Sequence, residues 1–410
     1  MLHIQAAFGL LVLIFLTWLI SENKKNVSYK GIVFGIALQI TFAFLLTEVS
    51  FFSNIFLLLN KLVGMLEEST REGTAFVFGY VGGAESPFLQ REGASTFIIA
   101  FQALPLVLVV SALSSLLFYL KILPVIVKSF AFVFQKTMNI GGALGLGASA
   151  NIFLGMVESP LLIKPYLIKM TRNELFTLMV CGMTTIAGTV MLLYVTLLKG
   201  VIADPLTHIL TASFIHVIAG ITVARIIIPE TEAATAGSLS PPLQAHSFMD
   251  AIVKGTEEGL KLLLAITAML LVMVALVSLT NKLLTLLPFS VTLQQLLGYI
   301  MLPIVWLFGI PWSEAHVAGQ LMGTKTILNE LLAFIDLSRL PEDSLSPRSR
   351  LIMTYAISSF ANLGSLGIMI GGIGTMAPER RDEIVSLGFK SLLAGTIATC
   401  MTGSVIGIIK

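Results

Sequence analysis

Residues 150–167 read ANIFLGMVESPLLIKPYL, a stretch apolar enough to enter a bilayer that still carries Glu158 at its centre, between Gly155 and Pro160. An ionisable group costs at least about 2.5 kcal/mol at the middle of a membrane, so a carboxylate there is a functional candidate by default. The two flanking helix breakers add unpaired backbone groups, which are tolerated at membrane depth only where protein or a polar solute satisfies them. The stretch therefore has the character of a turn inside a protein-lined cavity rather than a plain crossing.

The surrounding composition fixes the setting. Hydrophobic residues make up 56% of the 410-residue chain and charged residues 12%, with a mean hydropathy of +0.93, far from the balance of a soluble domain. The apolar runs recur along the whole chain and are each long enough to cross roughly 30 Å of hydrocarbon as helix. They are continuous, not short and alternating, which argues against a β-barrel. A formal net charge of +2 gives no reason to expect a nucleic-acid partner. Cys181 and Cys400 both lie in apolar runs, which argues against a disulfide framework or a zinc site.

The fold class that follows is all-α and polytopic. About eight transmembrane helices are expected, at 4–20, 31–47, 97–120, 175–198, 206–228, 259–283, 351–373 and 384–409. Residues 51–68 mix Phe and Leu with Asn60, Lys61, Glu67 and Glu68, and 124–136 are short and basic; both read as interfacial helices. Lys24, Lys25 and Lys30 put the first loop on the cytoplasmic side and the N-terminus outside. The basic loops IKPYLIKMTRNE and APERRDE agree, whereas DLSRLPEDSLSPRSR, with Arg339, Arg348 and Arg350, runs against the rule.

Two apolar stretches are interrupted and read as re-entrant hairpins: 140–165, broken at Gly155 and Pro160, and 311–335, broken around 323–329. Each precedes a crossing with its own weak point, CGMTTIAGTV at 181–190 and SFANLGSLG at 359–367. Breaks at matching positions of two halves point to an inverted repeat with a binding site at the midplane. Glu158 and Glu330 each sit at a hairpin turn; the competing account is a carboxylate that only caps its own hairpin tip. The division expected is 1–136 as N-terminal spans and interfacial helices of a scaffold, 137–228 as the first hairpin and following spans, and 229–250 as a loop. It continues with 251–310 as a long span and extracellular-side helix, again scaffold, and 311–410 as the second hairpin and last two spans.

The segments NIFLGMVESPLLIKPYL, GTKTILNELLAFIDL, SSFANLGSLGIMIGGIGTMAPERRDEI and LAGTIATCMTGSVIGI, with SENKK and TAFVFGYVGG near the start, resemble the concentrative nucleoside transporters over nearly the whole chain. The resemblance implies nucleoside uptake across a bacterial inner membrane, driven by a sodium gradient, by a homotrimer in which a hairpin-bearing transport part moves against a scaffold. It implies that Glu330, Asn362 and Ser365 bind ribose hydroxyls, with Phe360 beneath the sugar. A carboxylate, an amide and a hydroxyl suit that task chemically, although Asn362 and Ser365 could instead only join helices.

On the base side the family usually has Gln and Thr before the hairpin glutamate, where this chain has Met156 and Val157; Glu158 and Val190 remain. Direct reading of base edges is then weakened, and Met156 offers an adaptable surface for an aromatic ring. The family's sodium ligands correspond to Asn151, Leu154 and Ile186 by backbone or amide oxygen, and to the Thr185 hydroxyl where Ser is common. Hard oxygen ligands of this kind suit an alkali cation, and sodium is favoured over a proton carried on Glu158. No resident cofactor is expected. An intramembrane enzyme using Glu158 and Glu330 as a pair lacks a nucleophile or metal set in either hairpin.

Overall fold

The computed structural model describes residues 1–89, 97–238, 245–286 and 291–410, side chains at 50–57 and 269 excepted. Among the described residues there is no β-strand, only an isolated bridge between Lys199 and Ile202. Of the expected loop at 229–250, residues 229–238 and 245–247 are irregular and a helix already begins at Phe248, while 239–244 lie outside the described residues.

Among the described residues, seven helical segments are long and apolar enough to cross a membrane by length and composition: 2–19, 29–48, 99–119, 172–198, 205–227, 248–284 and 378–409. The first two are α1 (Leu2–Leu19) and α2 (Tyr29–Glu48). Ser28 starts α2 by accepting from Gly31 N, which satisfies one of the free amides of the first turn. Next come α3 (Ser50–Phe78), which carries Lys61, Glu67, Glu68, Arg71 and Glu72 and is not among the seven, α4 (Leu106–Tyr119) and α5 (Ile122–Met138).

The first half of the repeat then follows. Helices α6 (Gly142–Ala150) and α7 (Glu158–Leu161) form a hairpin, α8 (Arg172–Thr184) and α9 (Gly188–Leu198) a broken span, and α10 (Pro205–Ile227) an unbroken one. A Thr171–Glu174 capping box opens α8. After α11 (Phe248–Leu284) and α12 (Leu293–Trp306) the same order recurs: hairpin α13 (Trp312–Ile327) with α14 (Glu330–Arg339), broken span α15 (Pro347–Ile357) with α16 (Leu363–Met376), and unbroken α17 (Arg381–Ile409). The crossing expected at 351–373 is thus two short helices, because 358–362 leave the helical path.

The hairpin breaks differ in detail from the sequence expectation. In the first, the helix stops at Ala150 and resumes only at Glu158, while Pro160 sits in the first turn of α7, where a missing amide costs nothing. In the second, α13 runs straight through Gly323 and breaks only at Leu328 and Asn329. Gly323 is there because Leu297 of α12 presses onto its Cα, leaving no room for a side chain.

Helix burial separates a centre from a periphery. The 172–198 and 205–227 segments are mostly buried, whereas 248–284 is mostly exposed. Helix α10 packs on α2, α8 and α17, and α1 packs on α17, while α11 lies along α4 and α12 along α13. Gly255 and Gly259 let α11 close on α4, since a Cβ at either position would strike Ser111, Ala112 or Ser115.

Candidate functional site

The four breaks meet. Gly188 N donates to Phe153 O (3.1 Å), which docks the first hairpin's turn onto the unwound segment between α8 and α9. A Cβ at Gly188 would lie 2.5 Å from that oxygen, so the contact requires glycine. Phe360 N donates to Thr185 O (3.1 Å), so the two broken spans cross at their unwound turns and satisfy each other there. Three helices then start at the crossing. Asn329 caps α14 by accepting from Leu332 N (2.8 Å), Asn362 caps α16 by accepting from Ser365 N (2.7 Å), and α9 begins at Gly188. Their N-terminal ends bring positive dipole and unpaired amides to one place.

A cavity of about 200 Å³ opens there. Met156, Val157, Glu158, Val190, Glu330, Phe360, Asn362 and Ser365, the substrate residues expected from the sequence, all line it. Its polar end is Glu330, whose Oε1 accepts from Tyr194 Oη (2.7 Å) and whose Oε2 accepts from Asn362 Nδ2 (3.0 Å). Glu330 and Asn362 are 5% and 1% exposed, so these hydrogen bonds are sheltered from bulk water and are stronger for it. Much of the remaining lining is apolar, from Met156, Val157 and Val190 and from Leu262 and Ile266 of α11. Glu158 folds back over Gly155 and also borders a smaller cavity of about 110 Å³ with Glu258 and Ser111.

Asn151, Leu154, Thr185 and Ile186 gather between the first hairpin's turn and the unwound segment, with Asn151, Thr185 and Ile186 buried. Asn151 Nδ2 donates to Gly147 O (3.2 Å), which leaves Oδ1 buried with no partner among the described residues. A Cβ at Gly182 would be 3.9 Å from that Oδ1, so the amide oxygen faces the last turn of α8, just ahead of Thr185. Thr185 Oγ1 donates its proton to Cys181 O (3.0 Å) and accepts no hydrogen bond among the described residues. An orphaned acceptor beside a hydroxyl with open lone pairs fits a small hard cation.

Sequence reasoning missed Tyr194, Asn329 and the wall formed by α11. Tyr194 had a signal: it stands four residues after Val190, on the same helix face, as the lone hydroxyl in VMLLYV. The α11 residues carried none, because Leu262, Ala265 and Ile266 look like any apolar span.

Comparisons with known proteins converge on one group. Residues 208–407 match the family model described as Na+ dependent nucleoside transporter C-terminus, 8–81 match the corresponding N-terminus, and 100–200 match the model Nucleoside recognition. The chain is 34% identical to the uncharacterized transporter YutK of Bacillus subtilis, covering 98% of each. It is 32% identical to the nucleoside permease NupC of Helicobacter pylori, covering 98% of this chain and 96% of that one. Among solved structures, CNTnw in an inward-facing substrate-bound state superposes with a TM-score of 0.91 at 30% identity, over 99% of this chain and 98% of that one.

Proposed function

Because this chain belongs to the Na+ dependent, or concentrative, nucleoside transporter family, whose members are permeases and not enzymes, we propose that the 200 Å³ cavity is its nucleoside site and that a sodium gradient drives nucleosides inward through it. The observation that carries the reading is Glu330, held by Tyr194 and Asn362 at a cavity end where three helix N-termini converge. In this reading Glu330 accepts hydrogen bonds from the vicinal ribose hydroxyls while Asn362 and Ser365 complete the polar set. Phe360 supports the sugar. The base lies against Met156, Val157 and Val190, with Glu158 the one ionisable group on that side.

Sodium would be held by Asn151 Oδ1, the Thr185 hydroxyl and the carbonyls of Leu154 and Ile186, beside the docked turn of the first hairpin. Occupying that place stabilises the Phe153–Gly188 contact that closes one wall of the cavity, which couples cation to nucleoside. For the moving parts we propose a division that follows the packing: α4 and α11 form a frame, and the hairpins, broken spans, α10 and α17 form a mobile core that takes α1 and α2 with it. This departs from the sequence division, which grouped α1 and α2 with the scaffold. The apolar wall from α11 then stays behind while the polar end travels, giving alternating access in a homotrimer of the bacterial inner membrane with its N-terminus outside.

The test is a thermal-shift panel of ribonucleosides on the purified chain in sodium or in choline. Stabilisation by at least one nucleoside in sodium, and less in choline, is expected. No response to any nucleoside in either salt removes the substrate assignment, and equal responses in both remove the sodium coupling.

A further inference from the structure

Behind the cavity, on the last turn of α13, Lys325 is 0% exposed and its ammonium makes no hydrogen bond among the described residues. An ammonium buried without partners carries a large desolvation penalty, and a fold that keeps one needs an opposite charge to offset it. Glu330 supplies that charge. It is the first residue of α14, on the other side of the short break at Leu328 and Asn329, and is itself only 5% exposed, so opposite charges flanking this break have little water to screen them. His216 of α10 and Cys400 of α17 also lie within the field of Lys325, and neither ordinarily bears a negative charge.

Seen from Glu330, the compensation is equally one-sided. Its direct partners, Tyr194 and Asn362, are neutral donors that orient the carboxylate but do not cancel its charge. The break keeps the ions apart yet sets each in a favourable place, a cation at the C-terminal end of α13 and an anion at the N-terminal end of α14.

We propose that Lys325 is a positioning residue that acts through Glu330: it is the resident counter-charge that keeps this carboxylate ionised and aimed into the cavity. The proposal rests on reading the cavity as the nucleoside site, and it adds a second residue, out of reach of any bound nucleoside, on which affinity depends.

Melting temperatures of the full-length chain in detergent, without nucleoside, test the pair for wild type, Lys325→Met, Glu330→Gln and the double variant. Lys325→Met strands Glu330 and is expected to lower the melting temperature by several degrees, of which the added Glu330→Gln restores at least half. Losses that simply add overturn the proposal. If Lys325→Met does not fold, a folded double variant supports the pairing, and failure of both overturns it. In a second measurement, Lys325→Met is expected to weaken uridine and adenosine binding at least tenfold, and wild-type affinity in that variant overturns the proposal. If the wild type itself ignores nucleosides, the nucleoside reading falls, while the melting comparison still decides the pair.

Discussion

Glu330 is held by two donors, and each is a separate handle on affinity. Removing the Tyr194 hydroxyl as Tyr194→Phe keeps the ring packed on Phe334 at 4.9 Å and deletes one hydrogen bond to a carboxylate. Such a bond contributes about 1.5–3 kcal/mol, so nucleoside affinity should fall roughly tenfold or more by calorimetry with the sodium requirement intact. Unchanged affinity would show that Asn362 alone orients the carboxylate. At the other end, Met156→Gln with Val157→Thr returns an amide and a hydroxyl to the base side. A gain of about 0.5–1.5 kcal/mol for pyrimidines over purines is expected, threefold to tenfold in competition assays on four nucleosides. If all four ratios stay constant, the base does not lie on Met156. Glu158 and Glu330 were legible from the sequence because a carboxylate stands out in an apolar hairpin, whereas Asn362 and Ser365 came from the family resemblance. Tyr194 was hidden by the run around it, and Lys325 was passed over because a lysine in GTKTILNE reads as a loop-end charge until its burial is seen.

At the scale of elements, the docking of the first hairpin on the α8–α9 break is the step most sensitive to a single atom. Gly188→Ala sets a methyl 2.5 Å from the Phe153 carbonyl, a backbone oxygen that cannot swing away. Overpacking of this kind costs typically about 1–3 kcal/mol, and here it also prises the turn from the proposed cation ligands. The variant should melt several degrees lower and lose the difference between sodium and choline; a retained sodium response would separate the contact from coupling. The element ends are also where pH acts. Burial alone would raise the Glu22 carboxyl, but hydrogen bonds from Lys390 (2.5 Å) and Arg172 (3.1 Å) outweigh it and hold the group below its ordinary value. A depressed carboxylate adds stability above its unfolded value of 4.5 and loses it as the pH falls through the lower folded value. Glu22→Gln should therefore melt below wild type at neutral pH and converge on it as the pH falls through the lowered folded value, by a small margin because partly exposed ion pairs contribute only about 0–1 kcal/mol. A margin that persists in acid assigns the effect to packing. The first hairpin and first broken span were legible because Gly155 falls inside one break and Gly188 ends the other, whereas the breaks at 328–329 and 358–362 contain neither glycine nor proline. The second break, expected around 323–329, occupies only Leu328 and Asn329, since Gly323 serves close packing with Leu297 and not a turn.

For the whole molecule, the question is what keeps frame and core in one relation, and this was not legible from sequence because α1, α2, α4 and α11 share one apolar texture while their partners differ. One polar latch reaches the core from α3. Glu67 accepts from Thr196 Oγ1 (2.6 Å) and pairs with Lys199, at the far end of α9 from the crossing. The Lys199 side chain is 54% exposed, so the ion pair adds little by itself, but the shared carboxylate ties an amphipathic helix outside the repeat to a span that lines the cavity. If α9 travels with the core, this contact exists in one orientation and breaks in the other, and only such a differential contact shifts the balance between them. Glu67→Gln removes about 1 kcal/mol from the latched orientation, a shift of roughly fivefold in the population ratio. Spectroscopic distances between labels on α9 and α11 should report that shift in the nucleoside-free protein, together with a higher rate of nucleoside exchange in vesicles. An unaltered distance distribution would mean that α3 moves with the core and does not join α4 and α11 in the frame.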